Sequence, residues 1–351
     1  MTTNEPDFKL NRPGALIAAL PAILGFIPEK SLVLVTVNGD ELGSVLRVDL
    51  TDQLTDTIGR LAEVAAAADP AAVIAVVVDA DGARCPLCNE EHRQLCAALT
   101  TELARHRIVL WAAHVVDRVA AGGRWHCVDG CGAGGAVDDP SASPLAAAAV
   151  LDGRRLYQRR ADLQAIIADD PARSAAVAAV IGEHATARAA ASRADPSGRV
   201  RRDVDEMIAA AVALAAGRRL TSAELAALGC MLSDVTVRDT LFALAIGERA
   251  AEAEELWAVL SRTLPDRWRV EALVLLAFSA YARGDGPLAG VSLEAALRCA
   301  PDHRMAGMLD TALQSGLRPE RIRQLANTGY RLAHRIGARV PPRHGSGRCA
   351  G

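Results

Sequence analysis

The first third of the chain alternates short apolar runs with amphipathic stretches. Ser31-Leu-Val-Leu-Val-Thr-Val37 is a β-branched run closed by the turn sequence Asn38-Gly39-Asp40. Ser44-Val-Leu-Arg-Val-Asp-Leu50 follows at hairpin distance, with Val45, Arg47 and Asp49 on one face and Leu46, Val48 and Leu50 on the other. Thr51 or Asp52 can cap a helix that Asp69-Pro70 stops. Residues 72–78 form a continuous apolar run, as expected for a strand buried on both faces. A helix over about residues 89–105 and a strand over 108–116 come next. Two strand–helix–strand crossovers in succession imply parallel strands joined right-handedly, so the hairpin and the crossovers predict one mixed, partly parallel sheet.

From Ser143 onward helical periodicity dominates, broken at Asp170-Pro171, Asp195-Pro196-Ser197-Gly198, Gly217 and Pro265. The pattern predicts an α/β domain over residues 1–140, an all-α helical-hairpin region over 141–335 and a basic disordered tail over 336–351. One hairpin, Arg269 to Arg283 and then Pro287 to Ala300 with Pro301 as terminator, resembles a tetratricopeptide repeat. Leu276, Ala277, Gly284, Ala289, Leu293 and Ala296 fall at that repeat's spacing. Ala253, Trp257 and Leu264-Pro265 form a weaker second copy, fewer than the roughly three repeats a stable array needs.

Composition narrows the function classes. With 351 residues, a 51% hydrophobic share and 23% charged residues, the chain can build a large core. A net charge of −3 and aromatics at only 3% argue against a chain-wide nucleic-acid surface. The arginines at 318, 321, 323, 331, 335, 339, 343 and 348 make the C-terminal end basic, and a solvated helix face accounts for them better than a nucleic-acid contact does. The apolar stretch Gly14 to Phe26 follows Lys9 and Arg12 as a secretory signal would, but Glu5 and Asp7 lie upstream, Pro21 interrupts it and no small-residue cleavage site follows. No apolar run reaches the ~18 residues that span a bilayer, so the expectation is a cytoplasmic protein with no membrane partner and reduced cysteines.

Five of the 8 cysteines lie between residues 85 and 131. Cys85-Pro86-Leu87-Cys88 has zinc-knuckle spacing, and Cys127 and Cys131 form a second pair. If the strands ending near Val78 and Val116 are parallel, both pairs sit on loops at the same sheet edge. They could then share one structural zinc, with His92 or His126 as alternate ligands. Two readings compete with this one. Buried cysteine is a common small hydrophobe, as Cys230 and Cys299 illustrate. A reactive dithiol would require the helix to begin closer to Cys85 than residue 89. Gly122-Gly123 adds a complication, since a turn there would carry Cys127 back down the sheet. Asp49, Asp79 and Asp117 each end a predicted strand and would converge at the carboxyl edge, where carboxylates hold metal or exchange protons; aspartate is equally at home in turns and helix caps. Gly130 to Gly135 contains G-x-G-x-x-G, but without a preceding buried strand and a following helix. The P-loop, nucleophile-elbow and zincin motifs are missing from the sequence.

Leu20-Pro21-Ala22-Ile23-Leu24-Gly25-Phe26-Ile27-Pro28-Glu29-Lys30-Ser31-Leu32-Val33, Arg47-Val48-Asp49-Leu50, the patch Trp125 to Cys131, Ser143-Pro144-Leu145 and Arg160-Ala161-Asp162-Leu163 together resemble the actinobacterial family termed domain of unknown function 4192. That resemblance implies a common fold to about residue 320 and supplies no activity or catalytic residue. The leading expectation is a non-enzymatic adaptor or regulator that binds a protein partner through residues 250–320 and carries a structural zinc. The rival is a metal-assisted hydrolase or transferase at the carboxyl edge, with Asp79 and Asp117 as candidate catalytic residues. Nucleic-acid binding through residues 318–351 is a weaker third.

Overall fold

The structure, a computed structural model, describes residues 12–39, 41–51, 54–67, 69–151, 156–194, 196–315 and 317–343. The chain divides into two compact units after Asp162. The first is α/β and the second is all helix among the described residues.

Unit 1 opens with α1 (Pro13–Leu24), where Pro13 occupies the first turn and Gly25, at φ 76, closes the helix by donating its N–H to Pro21. The apolar stretch that superficially resembled a secretory signal is therefore this helix, with Leu16, Ile17, Ala19 and Leu20 fully buried. β1 (Ser31–Asn38) and β2 (Glu41–Asp49) form the expected hairpin. α2 (Leu54–Ala66), β3 (Ala72–Val78), α3 (Pro86–Arg105) and β4 (Val109–Val116) follow, and then the short strands β5 (Arg124–Cys127) and β6 (Gly134–Ala136). α4 (Pro144–Leu151) packs against α1.

The six strands form one mixed sheet in the order β2-β1-β3-β4-β5-β6. β3 and β4 pair in parallel, with Val78 opposite Val116. β1 is inserted antiparallel between β2 and β3, so β2 points the same way as β3 without touching it. Ser31 faces both Asp49 and Val78 across the ladder. The ends of β2, β3 and β4 therefore do lie on one edge, as the crossovers implied. β1 is buried along its whole length except at Asn38, because both of its neighbours are strands and both of its faces are covered.

Side-chain alternation divides the core. Leu32, Leu34, Val73, Ala75, Val77 and Val115 point to the face packed by α2 and α3 through Ile58, Leu61, Leu99 and Leu103. Val33, Val35, Ile74 and Val76 alternate to the opposite face, where Gly14 of α1 lies against the Trp125 indole.

In unit 2 the repeat-like hairpin is present as helix Asp266–Ala282, a turn at Gly284 (φ 89) and helix Gly286–Cys299, which Asp285 caps through Leu288 N–H. The first of these helices is a core element, buried on nearly every residue from Val270 to Ala282, so it does not line a groove as a repeat array would. The tail expected from residue 336 is packed through Arg343. Gly337 ends helix Pro319–Ile336, Tyr330 donates to the Pro341 carbonyl, Glu248 N–H donates to Pro342, and the Arg343 guanidinium covers the Tyr330 ring. Residues 344–351, with Arg348 and Cys349, lie outside the described residues.

A Cβ on Gly329 would stand 2.6 Å from Ala243 N and 2.7 Å from the Thr240 carbonyl oxygen, so helix Pro319–Ile336 crosses residues 240–243 at a distance only glycine permits. Gly329→Ala should destabilise unit 2 by about 1–3 kcal/mol despite alanine's better helix propensity, as overpacking of rigid backbone does. Urea unfolding monitored by circular dichroism checks this; an unchanged or raised midpoint would show that the crossing relaxes at no cost.

Candidate functional site

The loop between β3 and α3 starts at the sheet's carboxyl edge. Asp79 N–H donates to Val116, continuing the parallel ladder one residue beyond the strand. The loop then tightens through Ala83 N–H to Asp79 and Cys85 N–H to Gly82. α3 begins at Pro86 rather than near residue 89, which makes Cys85 its N-cap and places Cys88 in the first turn. The sequence argument against a reactive dithiol assumed a later start. Proline at the first helical position, with its φ preset, is what moves it.

Asp79 and His92 are both buried, and His92 Nε2 lies 3.3 Å from Asp79 Oδ2. Asp79 Oδ1 and His92 Nδ1 make no hydrogen bond, although Lys30 Nζ reaches within 3.8 Å of Asp79 Oδ1 from the chain entering β1. Burial holds the His92 pKa below its ordinary value against the opposing pull of Asp79. A Cβ on Gly82 would fall 2.1 Å from Asp79 Oδ2 and 3.1 Å from Cys88 Cβ, so only glycine fits between the carboxylate and the first turn of α3. Cys85 has no formed cap hydrogen bond to its sulfur, yet the Cys88 amide, the Cys88 thiol and the Leu87 amide, in that order, lower its pKa. The same thiol–thiol interaction raises Cys88, with burial and the charges of Cys85, Glu91 and Asp79 adding to the rise.

Asp117 ends β4 on the same edge and is equally buried, but its carboxylate is taken. Arg124 N–H donates to it at 2.8 Å, while Arg118 and Arg84 lie 3.4 and 3.6 Å away. Asp49 is more exposed and pairs with Arg47 at 2.5 Å.

The second cysteine pair flanks the end of β5. Gly122, at φ 73, and Gly123, whose Cβ would meet the Arg118 carbonyl oxygen at 2.2 Å, turn the chain back after β4, so β5 descends antiparallel with Cys127 opposite His114. Neighbouring residues of β5 point to opposite faces. His126 meets Asn89 of α3 at 3.0 Å, whereas Cys127 lies on the Trp125 face with its sulfur 3.7 Å from His114 Nδ1. His114 also packs edge-on against Trp125. Cys127, Asp129 and Cys131 bring one ligand atom each within 4.8 Å of one another, the only such grouping of three or more His, Cys, Asp or Glu among the described residues. Cys131 N–H donates to Asp129 Oδ1 at 3.0 Å, and this amide followed by the Cys131 thiol holds the Asp129 carboxyl below its usual value. Burial, then Cys131 and then Asp129 push the Cys127 thiol up to about 11. The structure thus brings Cys127 and Cys131 together with Asp129 and leaves Cys85, Cys88, His92 and His126 outside that group. Cys96, one turn beyond His92, belongs to the core.

Sequence reasoning missed Asp129 and His114. Asp129 had a signal, since Cys127-Val-Asp129-Gly-Cys131 alternates three donors at two-residue spacing. His114 had none, because its partner comes from strand pairing.

His92 is protonated more readily in the unfolded chain than in the folded one. Its contribution to stability is therefore complete above about pH 6.5 and is lost as the pH falls through its lowered folded value. His92→Gln should flatten that part of the stability–pH curve of unit 1; an unchanged slope between pH 7 and 5 in chemical unfolding would contradict this.

No helix among the described residues is long and apolar enough to cross a membrane. No curated protein and no solved structure matches the chain. The sequence does match, over residues 13–320, the family described as a domain of unknown function (DUF4192), and the chain belongs to that family.

Proposed function

We propose that the chain is a zinc-carrying, non-catalytic binding protein, with the metal on Cys127, Asp129 and Cys131 and with His114 as fourth donor. The observation that carries this reading is the closeness of the three ligand atoms, all within 4.8 Å, with His114 Nδ1 3.7 Å from Cys127 Sγ. Two thiolates, an imidazole and a carboxylate are a donor set that suits tetrahedral zinc, and four protein ligands leave no position for substrate. The chemistry is then structural. A metal there would tie the turn after β5 to the middle of β4, where β5 and β6 are too short to hold an edge by backbone pairing alone.

The helical unit is the partner-facing half in this reading, over residues 250–320. Met308 on helix Arg304–Gln314 offers an exposed apolar side chain there. A metal-assisted hydrolase or transferase draws less support. Asp117 is committed to its arginines, and neither it nor Asp79 is grouped with the metal donors among the described residues.

Freshly purified protein should contain about one zinc per chain by elemental mass spectrometry, one tetrahedral site taking one ion. Cys127→Ser/Cys131→Ser should lose it and Cys85→Ser/Cys88→Ser should keep it. His114→Ala should weaken zinc binding by about tenfold or more, since even outer-sphere partners are worth that much. Metal retained by the first double variant, or lost by the second, would overturn the assignment.

A further inference from the structure

Cys85 and Cys88 are left without a role by the metal centre, and their surroundings differ from those of a core thiol. Cys85 sits at the N-cap of a 20-residue helix, where unsatisfied amides and the helix dipole favour a negative charge. Cys88 lies in the first turn, and its Cβ and Asp79 Oδ2 both border the space that a side chain on Gly82 would fill. Two further facts point to a site rather than a helix end. Asp79, with its side chain only 7% exposed, has one oxygen with no hydrogen bond and only the Lys30 ammonium 3.8 Å away, and the equally buried His92 makes no hydrogen bond at Nδ1. Groups so placed are costly unless they serve a purpose. Gly82 is also the one residue type that fits between the carboxylate and Cys88.

We infer that Cys85 and Cys88 are a redox-active dithiol that exchanges with a disulfide substrate, with Cys85 as nucleophile, Cys88 as resolving thiol and Asp79 as its proton acceptor. In the first step the Cys85 thiolate attacks one sulfur of the substrate disulfide. That S–S bond breaks, the other substrate sulfur leaves as a thiolate and is protonated, and a mixed disulfide forms. In the second step Cys88 gives its proton to the Asp79 carboxylate and attacks Cys85 Sγ. The mixed disulfide breaks, the remaining substrate sulfur leaves as a thiolate that takes the proton back from Asp79, and Cys85–Cys88 becomes a disulfide. Two electrons pass to the substrate, which is reduced to two thiols; a thiol reductant reverses the sequence. The opposite displacements of the two thiols, Cys85 toward the thiolate and Cys88 away from it, suit this division of labour. The charged and titratable groups around the pair include Arg84 next to Cys85, Lys30 before β1, Asp79 after β3, and Glu91 and His92 on α3.

The full chain is equilibrated in glutathione buffers of graded potential and its disulfides are mapped by peptide mass spectrometry. A Cys85–Cys88 disulfide that forms and reverses, and forms equally in Cys127→Ser/Cys131→Ser, supports the inference and separates it from the metal centre. Cys88→Ser should stop at a glutathione adduct on Cys85, and Cys85→Ser should form no adduct at Cys88. Asp79→Asn should slow the resolving step at least tenfold while leaving the alkylation rate of Cys85 against pH unmoved, which loss of structure would not do. Insulin as a second substrate distinguishes a protein disulfide from a small one. Absence of the disulfide at every potential, Cys85 alkylation no faster than that of Cys299, or zinc held by Cys85 and Cys88 would each overturn it.

Discussion

The two-residue period of β5 is the constraint on which the rest of the site chemistry depends. A strand cannot send adjacent side chains to one face, so His126 turns to α3 and meets Asn89 while Cys127 turns to His114 and Trp125. The two cysteine pairs thus differ in their immediate neighbours. One pair sits at a helix N-terminus near a buried carboxylate, the other on a tight turn with a carboxylate and an imidazole. Thiols that the sequence makes equivalent are given different neighbours and, on the present reading, different work.

The carboxyl edge carries a concentration of unfavourable features. Asp79 and His92 are buried with atoms unsatisfied, and Lys30 takes a left-handed conformation, φ 41, that costs a non-glycine residue free energy. The backbone on both sides holds it there: Leu50 N–H donates to the Lys30 carbonyl and Ser31 Oγ to the Glu29 carbonyl, while Arg47 donates to Ser31 Oγ. The segment Gly25 to Ser31 has a physical explanation in this arrangement. Gly25 ends α1, Phe26 enters the core beside Tyr157, Pro28 bars further helix, and Lys30 is delivered to Asp79. Asp117, flanked by three arginines, is by contrast a stabilised structural carboxylate.

Much of this was legible in the chain. The β-branched runs, the Asn38-Gly39 turn and the Asp69-Pro70 stop place the strands and helices of unit 1 closely, and the crossovers put Asp49, Asp79 and Asp117 on one edge. The insertion of β1 between β2 and β3 was not legible, because a hairpin strand buried on both faces reads like any central strand. The start of α3 lies three residues before the sequence pattern puts it, and that difference is what weighed against the dithiol. The Gly122-Gly123 turn was legible as a complication, and it proved decisive by reversing the chain into β5. His114 acquires its place only through strand pairing, which no local pattern encodes. The helical half was legible as hairpins but not as to which helix would be central.

Zinc K-edge X-ray absorption on the purified chain tests the central proposal, that a metal sits on Cys127, Asp129, Cys131 and His114. Two sulfur neighbours at about 2.3 Å and two nitrogen or oxygen neighbours at about 2.0–2.2 Å are the result this account predicts, the signature of Cys127, Cys131, His114 and Asp129 around one ion. Four sulfur neighbours would contradict it, because the proposed donor set holds only two thiolates.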